Sequence, residues 1–440
     1  MKFSTKSLLP ALLLTGMSSF AQRSLSLEEA IATALQNNYD IQLSRNDSMV
    51  AALDYSYRNA AFLPTLNGTL GKNWNQNTET YKFKSATRND TTGKSKSNTL
   101  TANLALNWTL FDGLKMFTTR NKLEEYIKLG ELGIRNQVVN TVALVINNYY
   151  NIVRQKQQLR AIQEQMSLNE ERVKLAQYKL DIGVGTKPDV LQSQVDLNAQ
   201  KAAILNQETL ISQLKADLNR LMVTELTASY EVADSIPVNP DITLGDIQNN
   251  IENTNPLLLI NKKNIDIAEL TIKERKADFF PTISFNSAYN LNRTNNTKNI
   301  NPFATPFRQV RGLNYGLSAS IPIFNRFNTR RLVKQADLDL QYQQLVYESQ
   351  RSQVNLDVIN AFKDYEQQKK SLELEEANIL LARENVDIVF QTYKLGAATF
   401  IQLREAQKSL EDAYNRLIAA RYNTKLAETE LLRLKGEIVR

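Results

Sequence analysis

The chain has 440 residues, of which 42% are hydrophobic and 22% charged, and it carries a formal net charge of +7 with neither Cys nor His. Without Cys there is no disulfide. Without His the chain lacks the commonest metal ligand and the usual general base, so we expect no enzyme activity and neither a metal nor another cofactor. The basic excess is mild and is not clustered in a nucleic-acid footprint. With only 14 Gly and 10 Pro, long uninterrupted elements are expected, and no apolar run of about 18 residues marks a transmembrane helix.

The N-terminus has the composition of a secretory signal peptide. Lys2 and Lys6 precede the apolar stretch Leu8–Leu14, and residues 19–21 offer a small-x-small cleavage site. This order predicts a signal peptide over residues 1–21. The alternative interpretation is a disordered basic tail.

The first elements change from helical to strand periodicity. Ser26 before acidic residues predicts a helix N-cap. After a break at residues 37–38 the helix continues to about Ala61, and Pro64 ends it. Residues 65–74 then alternate weakly, and residues 100–110 alternate strictly between apolar and polar side chains, which is typical of strands. We expect a polar loop over residues 75–97 between these two strands.

A long helix follows the strand pair. Residues 112–181 contain no Pro and predict a helix of about 100 Å, which reverses at a Gly-rich turn over residues 183–186. A returning helix shows heptad-like spacing and ends before a linker over residues 224–250. The positions with that spacing are Ile211, Leu214, Leu218 and Leu221.

The second half repeats this order. Alternation predicts strands over residues 283–291 and 313–323, separated by a polar loop over residues 292–311. A second long helix and a returning helix follow. The returning helix carries a 3-4 apolar seam. Its members are Leu403, Ala406, Leu410, Ala413, Leu417 and Ala420.

The spacing between corresponding motifs is conserved. The interval from Phe111 to Gly183 equals the interval from Phe324 to Gly396, and a rigid element is needed to hold such a distance. The sequence therefore predicts a duplicated unit, with one copy over residues 22–242 and the second over residues 243–440.

Four strands of this kind are too few to stand alone in a membrane. Their two edges would leave backbone groups unpaired in lipid at several kcal/mol each, so a barrel must be shared between chains. Two copies give about eight strands, whereas three give about twelve and leave room for a pore. The alternative is a pair of exposed hairpins on a soluble domain.

Taken together, these motifs resemble the TolC family of outer-membrane efflux channels. The resemblance rests on the repeated Phe-x-Pro-Thr motif at 62–65 and 279–282, the corners at 110–113 and 322–325, and the Tyr-x-x-Gly-type tips at 178–183 and 393–396. It implies a mixed fold in which three chains form a twelve-strand β-barrel in the outer membrane and a twelve-helix α-helical coiled-coil barrel across the periplasm. It also implies a passive exit duct of a tripartite efflux or type I secretion system, with a periplasmic adaptor and an inner-membrane transporter as partners of the homotrimer.

The resemblance assigns roles to residues at the helix tips. The two turns would contact the adaptor, and residues beside them would close the periplasmic mouth. The expected adaptor contacts are Gly183, Gly185, Thr186, Gly396, Ala397 and Thr399. The expected gate residues are Asp189, Tyr393, Gln402 and Glu405.

The gate departs from the family pattern at two positions, Ala398 and Gln402, the second of which stands where the family has an acidic residue. Ala398 stands where the family has an Arg, so the same salt bridge cannot form. A single Glu405 per chain would give a ring of three carboxylates. For Asp189, the alternative is an ordinary acid at a helix N-terminus after Pro188.

A different class of function also fits long helical hairpins. A periplasmic coiled-coil adaptor or structural protein without a membrane barrel would carry such helices, although adaptors lack two alternating strand pairs. A hydrolase would need a nucleophile–base pair, which the sequence does not offer.

Overall fold

The structure is a computed structural model that describes residues 24–84, 89–300 and 304–438. The predicted signal peptide over residues 1–21 lies outside the described residues. The elements of the first half are α1 (Leu27–Asn37), α2 (Tyr39–Ser56), β1 (Thr65–Tyr81), β2 (Thr91–Phe111), α3 (Lys115–Asp181) and α4 (Lys187–Met222). Those of the second half are α5 (Leu244–Gln248), α6 (Ile251–Thr254), α7 (Pro256–Ala277), β3 (Thr282–Lys298), β4 (Phe307–Ser320), α8 (Asn328–Lys394) and α9 (Phe400–Lys435).

The two halves match in the lengths of their long helices. Both α3 and α8 have 67 residues, about 100 Å, and both α4 and α9 have 36. Within the described ranges, no helix carries an apolar stretch suited to crossing a membrane.

A buried asparagine occupies the same structural position in each half. The Oδ1 of Asn38 accepts hydrogen bonds from the first N–H groups of α2, while its Nδ2 donates to the carbonyl of Leu221 at 2.9 Å. Asn255 caps α7 in the same way and donates to the carbonyl of Leu434 at 2.7 Å. Each asparagine therefore ties the start of one helix to the end of its returning helix, as expected for a duplicated unit. The copy boundary at residues 242/243 stays a prediction.

The four strands form one antiparallel sheet in the order β1-β2-β3-β4. They are longer than predicted, because the expected loops over residues 75–97 and 292–311 are largely strand. β1 ends at Tyr81 and β2 begins at Thr91, whereas β3 ends at Lys298 and β4 begins at Phe307. Backbone pairing depends on main-chain groups, so it continues beyond the point where the apolar side chains stop. The last strand ends at Ser320 rather than at Ile323.

The register sorts the side chains onto two different faces. One row joins Leu104 to Tyr289 and Tyr289 to Leu313, all of them exposed. The next row on the opposite face joins Asn103 to Asn290 through a 2.6 Å hydrogen bond. The sheet thus has one apolar and one polar face, and β1 and β4 each have an edge with no strand beside it in the described chain.

The helices pack as two coiled coils. α3 packs along α4, and α8 packs along α9. All six residues of the predicted seam in α9 are buried, from Leu403 to Ala420. In α4, Leu218 and Leu221 are buried, and Ile211 and Leu214 pack partly buried against the same core.

Candidate functional site

The two turns at the far ends of the coiled coils have nearly the same backbone geometry. Gly183 and Gly396 adopt φ values of +80° and +79°, a left-handed conformation that Gly reaches without steric cost. The N–H of Val184 donates to Lys179, and the N–H of Ala397 donates to Thr392, so both helices end with the same capping pattern.

The predicted adaptor-contact residues all lie at these turns. Gly183, Thr186, Gly396, Ala397 and Thr399 are exposed. The sixth, Gly185, is half-buried, and a Cβ at its position would lie 2.8 Å from the backbone of Lys179 and Leu180. Gly185 is therefore required by the close approach of the chain to the end of α3.

Sequence analysis missed the large apolar side chains at the tips. Val184 is 72% exposed, Leu395 83% and Ile401 74%, with Tyr178 and Ile182 also exposed. A cluster of exposed apolar side chains at the end of a helical hairpin is typical of a protein interaction surface. The sequence did contain a signal for this surface, because apolar residues stand inside both turns, where polar residues are usual.

A cleft of about 490 Å³ separates the two tips and is lined by residues of both. Tyr393 is buried on one side of it, and Lys179 reaches it from α3. The Nζ of Lys179 donates to the carbonyl of Tyr393 at 2.6 Å and lies 3.7 Å from the ring centroid. Burial raises the pKa of the Tyr393 phenol and the charge of Asp189 raises it further, so the phenol stays protonated at neutral pH.

Asp189 lines the same cleft as Tyr393 but is also part of a helix cap. Its N–H donates to the Thr186 hydroxyl at 3.4 Å, and that hydroxyl donates to the Asp189 carboxylate at 2.7 Å. Asp189 is thus an acidic residue in the first turn of α4, where its negative charge stabilises the helix N-terminus. Asp189 and Tyr393 both line this cleft, and their interhelix contact stays a prediction.

The other two predicted gate residues lie elsewhere. Gln402 completes a capping box at the start of α9, where its N–H donates to Thr399 and its Oε1 accepts from the N–H of Thr399 at 2.8 Å. Glu405 is exposed one turn later and lines a second cleft of about 440 Å³, together with Arg172 and Asp196.

Arg172 of α3 is the functional candidate that sequence analysis did not find. Only 1% of it is exposed. It donates to the Oε1 of Gln407 on α9 at 2.7 Å and to the Oδ2 of Asp196 on α4 at 2.5 Å. The Nε of Arg404 lies 3.4 Å from the same Asp196 oxygen. Burial lowers the pKa of the Arg172 guanidinium, against the opposing effect of Asp196. Arg172 therefore joins the two coiled coils just above the tips.

The polar character of this contact could have been seen in the heptad pattern. The buried positions of α3 continue at 3-4 spacing from Ile162 to Ala176, but the three between them are Gln165, Asn169 and Arg172. Among the described residues, the Nε of Arg172 and the Nε2 of Gln165 and Gln407 have no hydrogen-bond partner. This stretch of α3 therefore places polar side chains at heptad positions that are usually apolar in a coiled coil.

Comparisons with known proteins agree with this architecture. The sequence model of the family described as "Outer membrane efflux protein" matches residues 30–223 and 248–437. The outer membrane efflux protein BepC of Brucella suis biovar 1 (strain 1330) is 22% identical over 443 residues, covering 98% of this chain and 89% of that protein. The alkaline protease secretion protein AprF of Pseudomonas aeruginosa is 21% identical, covering 90% and 83%. The CmeC outer membrane channel of Campylobacter jejuni superimposes with a TM-score of 0.76 at 15% identity, covering 94% and 86%.

Proposed function

This chain belongs to the outer membrane efflux protein family, and from that premise we propose that three copies close one twelve-stranded barrel and one continuous duct. The protein is an efflux channel of the outer membrane, with its long helices in the periplasm. The observation that carries the proposal is the four-stranded sheet, which has an apolar face, a polar face and two unpaired edges.

The apolar face has the height that a membrane requires. Trp74 in the middle of β1 pairs with Asn98, on the hairpin side of the apolar residues, and Trp108 lies about ten residues further along β2. This is about 34 Å along the strand. A strand tilt of about 40° reduces it to about 25 Å, which is the apolar band of outer-membrane barrels between their aromatic girdles.

Closure of the sheet needs other copies of the chain. In lipid, the free edges of β1 and β4 would leave backbone groups unpaired, and pairing β4 of one copy with β1 of the next removes both edges. Two copies would give an interior that side chains fill, whereas three give an open lumen. The polar face of Asn, Thr and Ser side chains would line that lumen.

Conduction through the duct is passive in this proposal. An inner-membrane transporter supplies the driving force and a periplasmic adaptor joins it to the channel. The similar proteins include one named for efflux and one named for protease secretion, so the transporter rather than the duct selects the cargo.

The tips are the proposed adaptor contacts. Exposed apolar side chains at both turns, with Val184 on the first and Leu395 on the second, can pack against helical hairpins of an adaptor. The nearly equal geometry of the two turns supports six similar contact points around a trimer.

The gate is proposed to use contacts that replace the missing Arg at Ala398. Lys179 joins the tips through Tyr393, and Arg172 joins α3 to α9 through Gln407. Adaptor binding would favour a state in which these contacts are broken and the tips part. Glu405, exposed beside the second cleft, would place one carboxylate per chain at the constriction.

The proposal is tested on the full-length mature protein. We expect it in the outer-membrane fraction, extracted by detergent with a protein mass of three chains, and conducting in planar bilayers. Recovery from the soluble periplasm as a monomer would support the adaptor alternative instead. A stable assembly of two chains without conductance would contradict the open lumen.

A further inference from the structure

The charged residues of the four strands are sorted between the two faces of the sheet. Starting from the apolar row of Leu104 and Tyr289, the register places most of the basic side chains on that same face, at the hairpin end. We call this set the basic patch; its members are Lys72, Lys94, Lys96, Arg293, Lys298 and Arg311. All of them are exposed.

The opposite face carries the remaining charges of the strands. Arg308 pairs with Thr294 on the polar face. Glu79, the acidic residue of the strands, also lies there and accepts hydrogen bonds from Ser95 at 2.5 Å and Tyr81 at 2.7 Å. The outward face at the hairpin end therefore has cations without carboxylates, and in the described chain none of the basic patch forms an ion pair with an acidic side chain.

The members of the basic patch lie close enough to repel one another. Lys96 is directly opposite Lys298, and like charges in directly opposite positions destabilise a sheet. Lys72 and Arg293 flank Leu100 in one row, and Arg311 is the diagonal neighbour of Arg293. An anion bound between them would relieve this repulsion.

Aromatic rings place the patch at a membrane interface. The Nζ of Lys72 lies 5.1 Å from the centroid of Trp74, and the Cζ of Arg293 lies 5.2 Å from that of Phe307. Trp74 and Phe307 lie one row nearer the hairpins than Lys72 and Arg293. Both cationic groups therefore extend from the apolar band toward the hairpins. Long basic side chains at a membrane boundary extend toward the headgroups in this way.

Because the long helices join the opposite ends of the strands and lie in the periplasm, the hairpin end of the proposed barrel is at the outer leaflet. We propose that the basic patch binds the phosphate groups of a phosphorylated glycolipid there, with its acyl chains against the apolar face below. Guanidinium groups bind phosphate oxygens through paired hydrogen bonds. The rings of Trp74 and Phe307, one row nearer the hairpins, stabilise the Lys72 and Arg293 cations at the headgroup level. The inference rests on the proposed barrel, in which the patch recurs on each chain and forms a belt.

The test measures lipid binding to the full-length mature protein by native mass spectrometry. The probes are bisphosphorylated lipid A, the same glycolipid with its phosphates removed, and zwitterionic phosphatidylethanolamine. We expect the wild type to retain the phosphorylated glycolipid preferentially. Arg293→Gln combined with Arg311→Gln should weaken that binding by roughly tenfold or more.

Arg308→Gln is the control for each single substitution, Arg293→Gln or Arg311→Gln, because it removes one positive charge from the same hairpin but from the polar face. Equal weakening by R308Q, or no preference of the wild type among the three lipids, would reject the patch. If inorganic phosphate at the same phosphate concentration bound the patch as well as the phosphorylated glycolipid does, a lipid would be rejected as the occupant. If the double variant does not assemble, the preference of the wild type among the three lipids decides whether the patch binds the phosphorylated glycolipid.

The results can distinguish a failure of the proposed lipid site from a failure of the proposed barrel. A wild type that conducts in phosphatidylethanolamine bilayers but shows no preference for the phosphorylated glycolipid removes the lipid site and leaves the channel. A wild type that forms no trimer and no conductance removes the channel itself.

Discussion

The Nζ of Lys179, near the end of α3, lies 3.7 Å from the ring centroid of Tyr393 and donates a hydrogen bond to its backbone carbonyl. The two residues are 214 positions apart, one in the first half of the chain and the other in the second. Their contact therefore holds the two tips together at the mouth of the proposed duct.

Replacing Lys179 by Gln should favour the open mouth. The change removes a cation–aromatic contact and a charged hydrogen bond, together about 1–2 kcal/mol at this half-buried position. We expect a higher open probability in single-channel recordings, by roughly tenfold. Lys187→Gln, an exposed lysine at the same tip, should leave it unchanged, and equal effects of both changes would exclude the contact as part of the gate.

Arg172→Gln should destabilise the helical region much more than Arg404→Gln. Both arginines approach the same Asp196 oxygen, but Arg172 is buried and Arg404 is half-exposed. Breaking a buried pair costs about 3 kcal/mol, whereas an exposed one contributes about 1 kcal/mol or less. Thermal unfolding followed by circular dichroism measures the difference. Similar melting temperatures for the two variants would contradict a structural role for Arg172.

Glu405→Gln should reduce the block of single-channel current by divalent cations. A ring of three carboxylates attracts cations into the constriction, and the substitution removes all three charges from a trimer. Glu225→Gln is the control, because this exposed glutamate lies beyond the other end of α4. If block is unchanged in E405Q, Glu405 does not line the constriction.

Leu106→Arg should reduce assembly in the outer membrane. A charge on the lipid face costs about 2–4 kcal/mol per chain at the midplane and about 0–1 kcal/mol near an interface, and Leu106 lies between these depths. Asn107→Arg places the same side chain on the polar face of the same strand and should assemble. The amount of trimer in the outer-membrane fraction is the measurement. Normal assembly of L106R together with failure of N107R would show that the face carrying Asn107, and not the face carrying Leu106, contacts lipid.

Leu395→Asp should weaken capture of the adaptor from cross-linked membranes. It replaces the most exposed apolar side chain of the second tip, which is 83% exposed, by a charge that would be costly to bury. Leu226→Asp serves as the control, because Leu226 is 59% exposed but lies beyond the far end of α4, about 50 Å away. Channel conductance should be normal in both variants. Undiminished capture by L395D would place the adaptor elsewhere.

Some features were determined by the sequence alone, because they depend on local periodicity. The buried seam from Leu403 to Ala420 was predicted from 3-4 spacing, and all six positions are buried. The apolar and polar faces of the strands followed from alternation. The duplication followed from equal intervals between motifs, and the paired caps at Asn38 and Asn255 agree with it.

Only the tertiary structure decided which residues meet across the chain. The length of the strands beyond their apolar rows depends on backbone pairing, which no side-chain pattern records. The contacts of Lys179 with Tyr393 and of Arg172 with Gln407 join segments that are more than two hundred residues apart. The sorting of the basic side chains onto the outward face depends on the register of β2 against β3. Strand register and helix packing are fixed by contacts between distant segments of the chain, and local sequence patterns do not show which segments make those contacts.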